Sequence, residues 1–171
     1  GHINPAVTLA VCVSQPSSLR SKNAFLYLYY INSQIIGAIV SCVFSYIFYS
    51  EHILKFSIVE GNNVLNGFLI EMVATFFFTY LILCQGNPDA KIAEDQTIST
   101  FLITVALFGA CGIAGNVTGG CLNPAIGIAH CIVRLIAFGD PAEVKYLWMY
   151  IVAPSLGGIL AGFLYIYFFF K

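Results

Sequence analysis

Charge is what this 171-residue chain lacks most: only 9% of its residues are Asp, Glu, Lys or Arg, against roughly 25% in an average soluble domain. With 59% hydrophobic residues and a mean hydropathy of +0.87, the composition argues against a soluble core protein. A formal net charge of -1 supplies no basic footprint, so nucleic acid is not an expected partner. Residue sets for chemistry are lacking too. There is no phosphate loop, no activated nucleophile and no Cys/His cluster, so no catalytic residue, no cofactor and no metal site is expected. The six cysteines (Cys12, Cys42, Cys84, Cys111, Cys121 and Cys131) stand singly in apolar surroundings without ligand spacing, and read as small packing residues. The histidines His2, His52 and His130 are scattered.

What is present is a repeated motif. Gly1-His2-Ile3-Asn4-Pro5-Ala6-Val7 opens the chain, and Gly119-Gly120-Cys121-Leu122-Asn123-Pro124-Ala125-Ile126 echoes it. Each copy reads as a helix start. Asn is a strong N-cap, and Pro at the first helical position lacks only an N–H that would be orphaned anyway. The apolar stretches that follow give half-helices over residues 4–13 and 123–136, both too short to cross a bilayer.

Four longer apolar runs are expected to span the membrane: residues 24–50, 64–85, 97–112 and 146–170. Tyrosines toward the ends of the first (Tyr27, Tyr29, Tyr30, Tyr46, Tyr49) fit an interfacial belt. Its Asn32, Ser33 and Gln34, with Gly37 and Ser41, mark a face for helix packing, as Gly157, Gly158, Ala161 and Gly162 do in the last. Pro154 is expected to kink that last span. Residues 14–23, 51–63, 86–96 and 137–145 read as loops. Residues 113–120 read as irregular backbone, which a membrane tolerates only where protein or a water-filled cavity covers it. Asn116-Val117-Thr118 matches a glycosylation acceptor, discounted because a re-entrant segment would hide it.

Glu71 is the one formally charged side chain inside the second span. An intramembrane carboxylate raises a functional hypothesis. The preferred reading is structural, an acceptor for non-helical backbone donors near a half-helix; a proton relay is the alternative.

Three spans separate the two motifs, so the second half-helix enters from the face opposite the first, and the repeats are inverted. Two spans precede the second motif. Symmetry asks for two before the first, so the chain reads as the C-terminal two-thirds of a protein with six full helices and two half-helices. If the first half-helix enters from the cytoplasm, Arg20, Lys22, Lys91 and Lys171 lie inside and Lys55, Arg134 and Lys145 outside, a weak bias of the expected sign.

Half-helices meeting at the midplane bring together two N-termini, each carrying about half a positive charge. A cation is repelled there. With the side-chain oxygens of Asn4 and Asn123 engaged in capping, their NH2 groups are free to donate to a neutral solute.

At these residues the sequence resembles the aquaporin, or major intrinsic protein, family. Gly1 to Thr8 is similar to its first signature, and Thr118-Gly119 with Asn123-Pro124-Ala125 to its second re-entrant loop. Gln34 with Gly37-Ala38, Glu71, and Pro154 with Gly157-Gly158 resemble its third, fourth and sixth helices. The resemblance implies an all-α membrane protein of aquaporin-like inverted repeats. It implies a homotetramer in the lipid bilayer, one pore per subunit, and passive conduction of water or other small neutral solutes. The pore motifs would be Asn4, Pro5, Ala6, Asn123, Pro124 and Ala125.

Three departures bear on the solute. The family places Arg directly after the second Asn-Pro-Ala, and Ile126 stands here. Arg134, two turns further on, is too distant to replace it. The other filter positions look small, Gly120 and, by ungapped alignment, Cys111. Gly127 occupies a place where glycerol-conducting members tend to carry Asp. The expected outer constriction is therefore wide and apolar. A non-conducting subunit of a larger membrane assembly, keeping the fold, is the alternative reading, and an ion-conducting or coupled transporter is a third.

Overall fold

The computed structural model describes residues 1–50 and 53–169. Glu51 and His52, expected in a loop, and Phe170 and Lys171, expected at the end of the last span and beyond it, lie outside the described residues. Within these bounds the regular structure is helical: α1 (Pro5–Ser14), α2 (Ser17–Lys22), α3 (Ala24–Tyr49), α4 (Val64–Gln85), α5 (Gln96–Thr118), α6 (Pro124–Phe138) and α7 (Leu147–Phe169), with a 3-10 turn at Pro141–Val144. The starts follow local chemistry. Asn63 caps α4 by accepting from Asn66 N, and Asp95 caps α5 by accepting from Thr97 N and Ile98 N. Helices α3, α4, α5 and α7 are long and apolar enough to cross a membrane. The ten residues of α1 rise about 15 Å, half of a roughly 30 Å hydrocarbon layer.

Helix α5 corrects one expectation. The third span was expected to end at Gly112 and residues 113–120 to be irregular, yet the helix continues to Thr118. Gly112 and Gly115 each disfavour helix by about 1 kcal/mol. Against that, Ala114 and Thr118 are wholly buried, and this last turn is fastened from outside: Val117 O accepts from Val59 N and Thr118 O from the Tyr150 hydroxyl. Irregular backbone is confined to residues 119–123. The acceptor pattern at Asn116 is thus helical, with its Thr118 hydroxyl bonded to Glu71. Two expected loops also hold short structure, α2 within residues 14–23 and the 3-10 turn within 137–145, and α6 runs to Phe138 rather than residue 136.

The packing crosses between repeats. Each half-helix makes its most extensive contact with the long helix that follows the other one, α1 with α7 and α6 with α3. Helix α7 also lies along α4. Glycines permit the closeness. A Cβ at Gly157 would stand 2.3 Å from Met72 O on α4, and one at Gly158 2.2 Å from Ala6 O on α1. Cys42, Cys84 and Cys121 are buried among apolar neighbours, and Cys131 is buried as well. Outward faces carry Phe25, Phe44 and Phe48 on α3 and Phe101, Val105 and Phe108 on α5, all exposed, as a lipid-facing surface should be.

Residues 53–59 form a strap across the ends of α5, α6 and α7. Arg134, on the last turns of α6, donates to Ile53 O (2.9 Å) and forks onto Glu143, Nε to Oε2 at 2.8 Å and Nη2 to Oε1 at 3.1 Å. Lys55 adds a second cation 3.2 Å from Glu143. His130 Nδ1 meets Leu54 O at 3.0 Å, which requires that nitrogen to carry the proton. The Arg134 fork holds the Glu143 carboxyl below its ordinary value of 4.5, with Lys55 assisting against burial. A depressed carboxyl stabilises the fold above its unfolded pKa, and that contribution is lost as pH falls through the folded value. Glu143→Gln should therefore lower the melting temperature at pH 7, with a cost of about 3 kcal/mol for stranding a largely buried partner. The gap from the parent should close as pH drops below 4.5. A gap that stays constant with pH in a thermal melt series would overturn this assignment.

Candidate functional site

The two motifs fold alike. Asn4 has φ -152° and ψ 123°, and Asn123 has φ -146° and ψ 109°; each side-chain oxygen accepts from the N–H two residues on, Ala6 N at 2.8 Å and Ala125 N at 3.0 Å. The residue before each Asn is left-handed, Ile3 at φ 57° and Leu122 at φ 51°. Such a backbone costs an L-residue roughly 1–2 kcal/mol, most for a β-branched one such as Ile3. The strain serves an arrangement the sequence does not announce. Asn4 Nδ2 donates to Leu122 O at 2.9 Å, and Asn123 Nδ2 donates to Ile3 O at 3.1 Å. Each Asn thus caps its own half-helix with its oxygen and grips the opposite loop with its nitrogen.

This modifies the expectation of two free NH2 groups. One hydrogen of each is committed to the reciprocal tie, and the second of the two that an amide nitrogen carries is left. Asn4 and Asn123 are 6% and 8% exposed, so that remaining hydrogen is offered through a narrow window. Pro5 and Pro124 hold the first helical positions, and Ala6 and Ala125 are buried against the packing behind them.

Glu71 lies completely buried beneath the second loop. Its Oε1 accepts from the Thr118 hydroxyl (2.5 Å) and Cys121 N (2.9 Å), and its Oε2 from Leu122 N (2.7 Å). Gly120 N in turn donates to Thr118 Oγ1 at 3.2 Å. The donors of residues 120–122, which no helix or sheet supplies with acceptors, are thereby satisfied. Satisfaction of this kind is what a membrane demands of irregular backbone.

A cavity of about 500 Å³ opens beside the tie. Asn123, Ala125 and Ile126 form one wall, and Ser33, Gln34, Gly37 and Ser41 of α3 the other, with His2 and Ile3 at its edge. On that edge Gln34 Nε2 donates to Thr8 Oγ1 (3.0 Å), which lies 3.2 Å from His2 Nδ1. Of the three filter candidates, Ile126 faces the cavity. Gly120 and Cys111 meet each other instead, and neither lines it. A Cβ at Gly120 would sit 2.6 Å from Cys111 O, at φ +70°, so the small residue here is demanded by the backbone of α5 whatever passes the pore. Arg134 is taken up by Glu143 and the strap. Sequence reasoning missed Tyr150, whose hydroxyl holds Thr118 O at 2.9 Å; a tyrosine within an apolar run gives no local sign of such a role. It also missed the strap, whose polar bonds reach 76 and 81 residues along the chain.

Known proteins resemble the chain in sequence and in fold. The family model described as Major intrinsic protein matches residues 1–165. Glycerol uptake facilitator protein-like 6 of Lactiplantibacillus plantarum is 35% identical across 95% of this chain and 72% of its own length. Probable aquaporin TIP2-2 of Arabidopsis thaliana is 30% identical across 96% of this chain, and Aquaporin-4 of Notomys alexis 31% across 99%. The chain spans 61% of the length of the former and 49% of the latter. Among solved structures, the aquaglyceroporin from Plasmodium falciparum superposes with a TM-score of 0.78 over 96% of this chain and 71% of its own, at 21% identity, a likeness of fold. With paired Asn-capped half-helices, four apolar spans and a family match over nearly its whole length, the chain belongs to the major intrinsic protein family and is an integral, multi-pass membrane protein.

Proposed function

We propose that the protein is a passive channel for water and other small neutral solutes, and no enzyme. The observation that carries this reading is the reciprocal tie: two half-helix N-termini are held face to face, each with an Asn that has one N–H left to donate. A neutral solute with lone pairs accepts from Asn4 and Asn123 in turn, while a cation meets two positive helix ends. Ile126, on the cavity wall, makes the filter wide and apolar, lacking the forked donor set of an arginine, and Gly120 and Cys111 add no side chain to that wall. Glu71 serves as the buried acceptor that shapes the loop. The names of the relatives, a glycerol facilitator and aquaporins, support the solute class, and homotetrameric assembly in the bilayer goes with it.

A second reading, a non-conducting structural subunit, is favoured by one observation, the isoleucine at position 126. The two separate in proteoliposomes carrying the protein from its full reading frame. Osmotic shrinkage well above empty liposomes is expected, and Ile126→Trp should slow it several-fold at equal protein content. Shrinkage equal to empty liposomes would overturn the channel reading and leave the structural one.

A further inference from the structure

We infer that Tyr150 is a positioning residue for the constriction, setting the place of Ile126 and of the loop before Asn123 from behind; the inference rests on the channel reading above. Tyr150 is completely buried on α7, yet it touches the end of α5, the loop before Asn123 and the start of α6. Its hydroxyl donates to Thr118 O at 2.9 Å, the last carbonyl of α5 before the irregular segment. Helix-end carbonyls have no partner within their own helix, so this bond fixes where that segment starts. Its ring packs in one cluster with Cys121, inside the segment. Its Cβ lies 2.7 Å from where a Cβ on Gly127 would be, so α6 rests directly on Tyr150 with no side chain between.

Ile126 and Gly127 are neighbours on α6, the first facing the cavity and the second buried on α7. The two are about 100° apart around the helix, so any shift of α6 on its Tyr150 seat moves Ile126 with it at the cavity wall. Phe56 of the strap lies against the same ring, centroids 5.6 Å apart. Gly127 thus has a steric duty in this chain. The close seat that it permits is what makes a residue of α7 able to set the width of a filter that it does not line.

The test compares glycerol with water permeability in proteoliposomes of the full-reading-frame protein. Tyr150→Phe keeps the ring and removes the donor to Thr118 O. The glycerol-to-water ratio should change on the order of fivefold, the factor equivalent to one net hydrogen bond. Tyr165→Phe, which alters another buried tyrosine of α7, should leave the ratio at the parent value. A wild-type protein that conducts, with an unchanged ratio in Tyr150→Phe, overturns the inference and leaves the channel reading standing. A wild-type protein that does not conduct overturns the channel reading itself. Should Tyr150→Phe fail to fold, a fluorinated tyrosine at position 150 alters donor strength alone; an unchanged ratio there overturns the inference equally.

Discussion

Glu71→Leu is expected to remove most folded protein from detergent extracts. The leucine fills similar space but offers no acceptor. Cys121 N and Leu122 N, both buried and bonded to the carboxylate, are left without partners, at about 1–3 kcal/mol each. Thr118 loses less, since its hydroxyl also reaches Ala114 O at 3.1 Å. The sum, about 2–6 kcal/mol, is a large share of the roughly 5–15 kcal/mol that keeps a typical domain folded. Glu71→Gln keeps one oxygen of the two and should fall between. Melting curves by fluorescence-detected size exclusion order the three proteins as parent, Gln, Leu. A Leu variant melting with the parent would show that the loop does not depend on this side chain.

Gly158→Val should be nearly as damaging, for a steric reason. The first added carbon would lie 2.2 Å from Ala6 O and 2.9 Å from Ala6 C, and both are backbone atoms of α1. No rotamer relieves such an overlap; α1 itself must move, at a cost at or above the roughly 1–3 kcal/mol of ordinary overpacking. Asn4 caps α1, so a displaced α1 also pulls its amide off Leu122 O. Permeability and melting temperature should therefore fall together. Gly86→Ala is the contrast, since a Cβ there would find its nearest neighbours at 3.5 Å, an ordinary contact, and both readouts should stay at parent values. Equal behaviour of the two variants would refute the close-approach account.

The parts of this fold that were legible in the sequence are those decided within a few residues. Asn4-Pro5 and Asn123-Pro124 announce helix starts because capping and the missing proline N–H are local chemistry. Four long apolar runs announce spans because the length of an apolar helix is set by bilayer thickness. Gly157 and Gly158 announce close packing, though not which helix each admits. The left-handed Ile3 and Leu122 had no sequence signal, since neither is a Gly, Asn or Asp and Ile3 is β-branched besides. Their conformation is imposed by Asn side chains 118 and 120 residues distant. Residues 113–118 misled for a related reason. Gly115, with Gly112 just before, weakens the helix locally, while Glu71, Val59 and Tyr150, all remote in sequence, hold it. Gly120 carries a demand that the sequence does not show, since a Cβ there would stand 2.6 Å from Cys111 O.

The reciprocal tie also sets a clock. Until residue 123 has been made, Asn4 has no Leu122 carbonyl to grip and the carbonyl of Ile3 has no donor. Synthesis of the intervening stretch at 5–20 residues per second takes about 6–24 s, and closing so long a loop contributes only late in folding. Through that interval the first half-helix waits in or near the membrane with its polar end unmatched, and any factor that shields such ends during insertion would act on this segment. The centre of the molecule is the last part to be finished, and neither half can finish it alone.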